Sequence, residues 1–326
     1  MSSVKTVFVC GGTGTQGGAL ARQLLPKGVA VHTMTRDPSS AAAKKLESLG
    51  AKLFRGSFDE EEVIRRAVQG VDAIFLNFMP NLSNPQGDIK HARSIMRLAR
   101  EAGARHVVYS SGLGIDRLEV LLQDQVGGER SALSAGAERS PLLASGFFNV
   151  KVEIEEAVAS AGFDTWAVLR PAFFMANFVL PKVAMYPGLA ETGRANTAWR
   201  HDTLLPLVDD ETIGVFAAAA VLEPERFDGK KLDVADELRT VDECLGMLGD
   251  ATGRDLRLVE LTDDEVEDRI TTNLFTAGEL LTRRLAECLD FDAVKRLGLP
   301  LSSFDKFLQR EKDIVLATYK NAPAKV

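Results

Sequence analysis

Residues 7–25, VFVCGGTGTQGGALARQLL, constrain the fold more than any other stretch of the chain. An apolar run, Val7 to Cys10, predicts a buried strand; the glycines stop it, and Ala19 to Leu25 reads as a helix. Strand, glycine turn and helix in direct succession predict the first βα unit of a parallel α/β sheet. Gly11, Gly14 and Gly17 give GxxGxxG, while Gly12, Gly14 and Gly17 also satisfy GxGxxG. Both spacings serve one need. Missing Cβ atoms permit a tight turn and let backbone N–H groups at a helix N-terminus approach a pyrophosphate. Thr13 and Thr15 are candidate hydroxyl donors, and Gln16 is a candidate to cover the phosphates. An ordinary glycine-rich loop is the plainer alternative. The position after the first strand of a long α/β chain favours a dinucleotide site.

The second predicted strand, Ala30 to Thr35, ends at Arg36. A site selective for NAD usually carries Asp or Glu there, to accept from the ribose hydroxyls. A guanidinium instead offers paired donors to a ribose 2′-phosphate, so Arg36 points to NADP(H). Asp37 would repel that phosphate and is expected to face away.

Composition excludes other classes. At 326 residues and 45% apolar content, the chain can bury a substantial core. A net charge of −7 does not favour a nucleic-acid backbone. No stretch of roughly twenty unbroken apolar residues predicts a membrane span, and no secretory leader is expected. Cys10, Cys244 and Cys288 lack paired spacing, which suggests a reducing compartment and a cytoplasmic protein. Cys10 is expected in the core. Without a Cys/His cluster, no metal site is predicted.

Further βα units follow in order. Leu53-Phe54 reads as a third strand; Asp59 is a candidate cap for a helix starting at Glu60, and Phe58 is a candidate to lie against adenine. Val71 to Leu76 predicts a fourth strand. It is broken by Asn77, Phe78 and Met79, candidates for the nicotinamide-side ribose because doubly wound sheets bind ligands at carboxyl ends. A helix over Asp88 to Arg100 precedes a fifth strand, Arg105 to Tyr109, with Ser110 and Ser111 at its end. His106 is expected to be structural or at the surface. Residues 113–146, rich in Ser, Ala and Gly, read as a long loop: a lid, or a segment disordered until ligand binds. A helix from Phe147 to Gly162 carries Lys151, and a sixth strand, Phe163 to Arg170, ends at Pro171 and the aromatic Phe173, Phe174, Met175, Phe178. A helix lysine facing the crevice can hold a ribose; plain surface charge is the alternative. Leu180 to His201 reads as irregular, with Pro181, Tyr186 and Trp199 candidates for a substrate wall. Asp209 to Glu211 is placed to cap a helix, Lys230 to Ala235 and Leu256 to Glu260 suggest short strands, and Asn321 to Val326 looks frayed.

GGTGTQG, Arg36, Tyr109-Ser110-Ser111, Phe148 to Glu153, Leu169 to Asn177 and Leu205 to Gly214 together resemble the NmrA-like branch of the atypical short-chain dehydrogenase/reductases. The resemblance implies an NADP-binding Rossmann domain with a parallel sheet plus a smaller, mostly helical substrate domain. Residues 1–180 would form the main part of the first and 181–326 most of the second, with 203–235 returning to the Rossmann domain. Some relatives of this kind reduce quinones, dyes or phenylpropanoids; others bind the nucleotide and regulate protein partners. Ordinary short-chain dehydrogenases carry a proton-donating Tyr four residues before the lysine, where this chain has Phe147. The phenylpropanoid reductases also lack that tyrosine, and the resemblance to them assigns catalysis to the equivalent lysine, here Lys151.

Two functions stay open. One is NADPH-dependent reduction of a small apolar carbonyl, quinone or conjugated double bond. Lys151 and Ser111 would be catalytic, Lys151 would also hold the cofactor, and Phe147, Phe174, Met175 and Phe178 would shape the pocket. The other is a non-catalytic NADP(H) sensor acting through a protein partner.

Overall fold

The structure, a computed structural model, describes residues 4–78, 81, 84–117, 121 and 140–325; the side chains of Ala144, Phe147 and Leu274 are outside the description. Seven strands form one sheet: β1 (Thr6–Val9), β2 (Ala30–Thr35), β3 (Lys52–Arg55), β4 (Ala73–Leu76), β5 (His106–Ser110), β6 (Thr165–Pro171) and a late strand, Lys230–Val234. The spatial order is Lys230–Val234, β6, β5, β4, β1, β2, β3, and every neighbouring pair is parallel. The sequence moves outward from β1 in one direction and from β4 in the other. That reversal opens a crevice above the carboxyl ends of β1 and β4.

Both faces of this sheet are covered, so its strands are apolar runs rather than alternating ones. On one side lie α1 (Thr15–Leu24), α2 (Ala41–Ser48) and the later helix Asp210–Leu222; on the other lie α3 (Glu61–Ala67), α4 (Pro85–Glu101) and α5 (Phe147–Ser160). Of these, α3, α4 and α5 pack with Phe8, Ile74, Val107 and Val168. The opposite face joins Val7, Phe75 and Leu169 to Leu20, Phe216 and Ala217. Helix Asp210–Leu222 comes so close to α1 that a Cβ on Gly214 would stand 2.7 Å from the Ala19 carbonyl carbon. Asp209 caps that helix, accepting from the Glu211 N–H at 3.2 Å, as its carboxylate suggests. Cys10 is fully buried in the core, where burial pushes its thiol up to about 12.

The remaining elements surround a third apolar cluster. β7 (Phe173–Phe174), β8 (Arg194–Thr197) and β9 (Leu204–Val208) precede β10, the Lys230–Val234 strand already placed at the sheet edge. β11 (Glu237–Thr240), α6 (Val241–Thr252) and β12 (Arg257–Glu260) come next, and the chain ends in mostly helical segments. β9 is flanked by β11 and β7, while β12 pairs in parallel with β8. Two of these short strands, β8 and β11, therefore lie where the sequence reads as irregular or helical. At four residues or so each, they are too short to show a period of two. The Val241–Thr252 helix opens with a capping box, Thr240 and Glu243 each bonding the other's backbone N–H.

Two expectations for this half are corrected. Tyr186 and Trp199 do not form an open wall: with Phe173, Phe178 and Phe304 they make a closed aromatic cluster, Tyr186 and Trp199 lying 4.7 Å apart. The C-terminus is not frayed up to Lys325. The Lys325 N–H donates to the Gly253 carbonyl at 2.9 Å, and Ala324 pairs with Arg254. Among the described residues no helix is long and apolar enough to cross a membrane.

Candidate nucleotide-binding and active site

The glycine turn uses all four of its central glycines. Gly11 has φ +64°, a conformation open mainly to glycine, and its carbonyl accepts from the Gly14 N–H at 2.8 Å. A Cβ on Gly12 would lie 2.6 Å from Thr33 Oγ1, and one on Gly17 only 2.4 Å from the Gly11 carbonyl oxygen. Gly14 occupies the N-cap of α1 in extended conformation with no side chain capping the helix. The first-turn N–H groups of α1 are thus left to an anion, and the helix dipole favours one there. Neither spacing in the sequence isolates a single working triplet. Thr33 is the partner that explains Gly12, receiving its N–H at 3.2 Å and donating to the Val9 carbonyl at 2.7 Å.

A cleft of about 910 Å³ runs from this turn across the ends of β2, β3 and β4. Gly11, Thr13, Gly14, Arg36, Phe58, Asn77 and Phe78 all line it. Met34, Asp59, Asp88 and His91, which the sequence did not single out for the cleft, line it as well. Among the described residues the Arg36 guanidinium has no ion pair. The adjacent Asp37 carboxylate turns to Ser39, accepting from its N–H at 2.9 Å and its hydroxyl at 2.5 Å; these bonds hold it below the usual carboxylate range. Phe58 sits edge-on to Phe78, centroids 6.0 Å apart, and tilted against His91 at 5.9 Å.

Asp59 does not cap the following helix. That helix starts at Glu61, and Glu60 reaches back to the Ser57 N–H at 2.7 Å, satisfying the turn without Asp59. Asp59 instead meets His91 Nε2 at 3.0 Å across the cleft mouth. Gln16 is not extended over the turn either. Its amide donates to Asn77 Oδ1 at 3.2 Å and accepts from Ser110 Oγ at 2.5 Å, tying α1 to the ends of β4 and β5. Thr15 is the first residue of α1.

Beyond the end of β5, Ser111 is buried, its side chain close to Tyr109 and Glu155. Its carbonyl accepts from Lys151 Nζ at 3.2 Å. The ammonium also lies 6.0 Å from the Tyr109 ring. Burial lowers the Lys151 pKa to about 8, against the opposing pull of Asp88 and Glu155. Asp88 is half-buried on α4, and burial raises its carboxyl above the usual range although Asn81, His91 and Lys151 act against it. Glu155 lies one turn beyond Lys151. It is fully buried and receives Arg170 Nε at 3.1 Å, Arg170 Nη2 at 2.7 Å and Lys231 Nζ at 2.7 Å. Burial alone would raise its pKa; these partners outweigh it and hold the group ionised. Arg170 reaches Asp116 as well, at 2.9 Å.

The aromatic residues expected in the pocket separate. Phe174 is half-buried, with Lys182 Nζ 5.0 Å from its ring centroid. Met175 and Phe178 are both fully buried within the third cluster and show no open face. Met79, the side chain of Phe147 and the greater part of the expected lid, residues 118–120 and 122–139, lie outside the described residues. His106 is structural, its Nδ1 2.8 Å from Thr165 Oγ1.

Comparison with known proteins agrees with this architecture. An NmrA-like oxidoreductase of Cladobotryum sp, FrzB, is 27% identical over 271 residues, covering 77% of this chain and 74% of its own. The NmrA-like oxidoreductase malD of Malbranchea aurantiaca is 26% identical over 275 residues, 79% of this chain and 76% of its own. Triphenylmethane reductase of Citrobacter sp., complexed with NADP(H), superposes with a TM-score of 0.67 at 18% identity, covering 94% of this chain and 99% of that one. The NmrA negative transcriptional regulator in complex with NAD gives 0.62 at 16%, covering 92% and 99%. At these identities the two structures speak for the fold alone. The sequence pattern of the NmrA-like family matches residues 3–120 and 132–291, most of the chain, and the protein belongs to the NmrA-like family.

Proposed function

We propose that the protein is an NADPH-dependent reductase of a small, largely apolar carbonyl, quinone or conjugated double bond. The observation that carries this reading is Lys151: a half-buried ammonium beside Ser111, near the end of β5 and at the crevice of a doubly wound sheet. The turn fits a dinucleotide, with glycines that no larger residue replaces, an uncapped helix N-terminus and, beyond β2, an arginine without a counter-ion among the described residues. Gly11 to Gly17 would hold the pyrophosphate, Arg36 the 2′-phosphate, and Asn77, Phe78 and Met79 the nicotinamide-side ribose. Phe58, with Phe78 and His91 beside it, offers aromatic surface to adenine. When bound, NADPH supplies hydride.

Lys151 donates hydrogen bonds to the ribose and lends positive charge where negative charge builds on the substrate oxygen. Its lowered pKa leaves it mainly protonated at neutral pH yet able to release a proton. The Ser111 hydroxyl, buried beside Tyr109 and Glu155, would bond the same oxygen. Position 147 is Phe, without an ionisable proton, so a substrate with little demand for proton donation, such as a quinone, suits the site best. Relatives named as oxidoreductases and neighbours that reduce quinones and triphenylmethane dyes support the reading.

The test is NADPH oxidation by purified protein against quinones, enones, aldehydes and imines. Turnover with at least one class, lost in Lys151→Ala, supports the assignment. Turnover unchanged in Lys151→Ala removes the lysine mechanism. The resemblance in fold to a transcriptional regulator favours a second reading, a nucleotide sensor acting through a protein partner. Absence of turnover with every class, together with a partner contact that depends on NADP(H), would establish it.

A further inference from the structure

β2 and β3 end side by side. Thr35 and Arg55 are register partners, and the Gly56 N–H donates to the Thr35 carbonyl at 3.1 Å. The residues at the two exits, Arg36 and Arg55, therefore flank one small hollow of about 290 Å³, completed by Gly56, Ser57 and Glu60. Arg36, Gly56 and Ser57 also line the nucleotide cleft, so the hollow is a side chamber of that cleft. Gly56 forms its floor with φ +155°, and a Cβ there would lie 2.9 Å from Val63, which keeps the backbone bare.

We propose that Arg55 is a second phosphate-binding arginine, closing with Arg36 and the Ser57 hydroxyl on the 2′-phosphate of the nucleotide; this rests on the NADP reading above. The charges favour it. Arg65 and Arg97, on helices close by, are paired with Glu61 and Glu101. Among the described residues neither Arg36 nor Arg55 has such a partner. The one carboxylate in the hollow, Glu60, is turned to the Ser57 N–H at 2.7 Å. Two guanidinium groups against one committed carboxylate leave the chamber positive. A phosphate monoester presents three oxygens; one bidentate arginine satisfies two, and a second reaches the third. The sequence singles out Arg36 alone, since Arg55 belongs to a different strand and meets it only through the register.

The experiment is calorimetric titration of the full-length protein with adenosine 2′,5′-bisphosphate and with 5′-AMP, in wild type, Arg36→Ala, Arg55→Ala and Arg55→Lys. Arg55→Ala is expected to weaken the bisphosphate on the order of ten-fold and to leave 5′-AMP unchanged. Arg55→Lys recovers part of the loss, and the salt dependence of bisphosphate binding becomes shallower in Arg55→Ala. Arg55 is exposed, so an unchanged melting temperature certifies the fold of each variant. Bisphosphate affinity that falls in Arg36→Ala and stays at the wild-type value in Arg55→Ala overturns this inference while sparing the NADP reading. Wild-type protein that does not distinguish the two ligands overturns both.

Discussion

Glu155 and Arg170 meet in a bidentate ion pair, 3.1 and 2.7 Å long, with the carboxylate wholly removed from solvent. The pair joins α5 to β6 one turn beyond Lys151, and Lys231 on the edge strand completes it at 2.7 Å. Removing one partner of such a pair leaves a buried charge without its counter-ion. Glu155→Gln is expected to lose about 3 kcal/mol of unfolding free energy, read by urea denaturation at pH 7. The Lys151 ammonium would lose a favourable neighbour at the same time, so its pKa should fall further in the variant. An unaltered denaturation midpoint would mean that the network contributes nothing.

Lys151 gives the stability a pH dependence of known sign. Its folded pKa, about 8, lies below the ordinary lysine value of 10.5, so the unfolded chain binds more protons between those limits. The lysine therefore costs stability at neutral pH, and the cost fades as pH rises from about 8 toward 10.5. Lys151→Met should be more stable than wild type at pH 7, by on the order of 1–3 kcal/mol, with the gain shrinking above pH 8. Under the reductase reading, turnover should fall as pH climbs through the same lower limit, and Lys151→Met should be inactive throughout. A stability difference independent of pH would contradict the assigned shift.

The β1–α1 turn, the alternating strands and helices and the edge strand at residues 230–234 were legible because each rests on local chemistry. Glycines mark turns, apolar runs mark strands buried on both faces, and Asp209 marks a helix start. What escaped depends on distant partners. Thr33 explains Gly12 from 21 residues away. His91 draws off Asp59 from 32 residues away, which a local capping rule cannot anticipate. Trp199 and Phe178 look like pocket aromatics in one dimension. Only packing against Phe304, more than a hundred residues later, makes them core. β8 and β12 stabilise each other across some sixty residues, as their pairing of Arg194 with Arg257 shows.

The glycine turn is intolerant at one position above the others. A methyl group on Gly17 would stand 2.4 Å from the Gly11 carbonyl oxygen and 2.7 Å from that of Cys10, both backbone atoms. Neither can yield without moving the end of β1 or the start of α1. Gly17→Ala is expected to destabilise the fold by about 1–3 kcal/mol and, under the reductase reading, to abolish NADPH binding. Gly28→Ala, which meets no atom within 4 Å but sits at φ +76°, is the control for backbone strain alone. It should leave NADPH affinity intact. Equal loss of affinity in both variants would show that general destabilisation, rather than the turn, governs binding.

Asp209 and Arg310 pin the C-terminal helices to the helix that packs on α1. Both carboxylate oxygens of Asp209 are claimed by Arg310, at 2.7 and 2.8 Å, and the Ser302 hydroxyl adds a third bond at 2.8 Å. The carboxylate has no exposed side-chain surface, whereas Arg310 keeps about a third of its own. Burial would raise the Asp209 pKa, but Arg310 and Ser302 prevail and hold it below the unfolded value of 3.8. Its contribution is thus present above pH 3.8 and is lost as pH falls through the lower, folded value. Arg310→Leu strands the buried carboxylate and should cost about 3–5 kcal/mol. Asp209→Asn in the same chain removes the stranded charge while keeping an oxygen for the Glu211 N–H, so the double variant should be more stable than Arg310→Leu alone. Urea denaturation of the wild type, both single variants and the double variant measures this coupling. Additive losses in that cycle would mean that the two side chains act on stability independently, despite their contact.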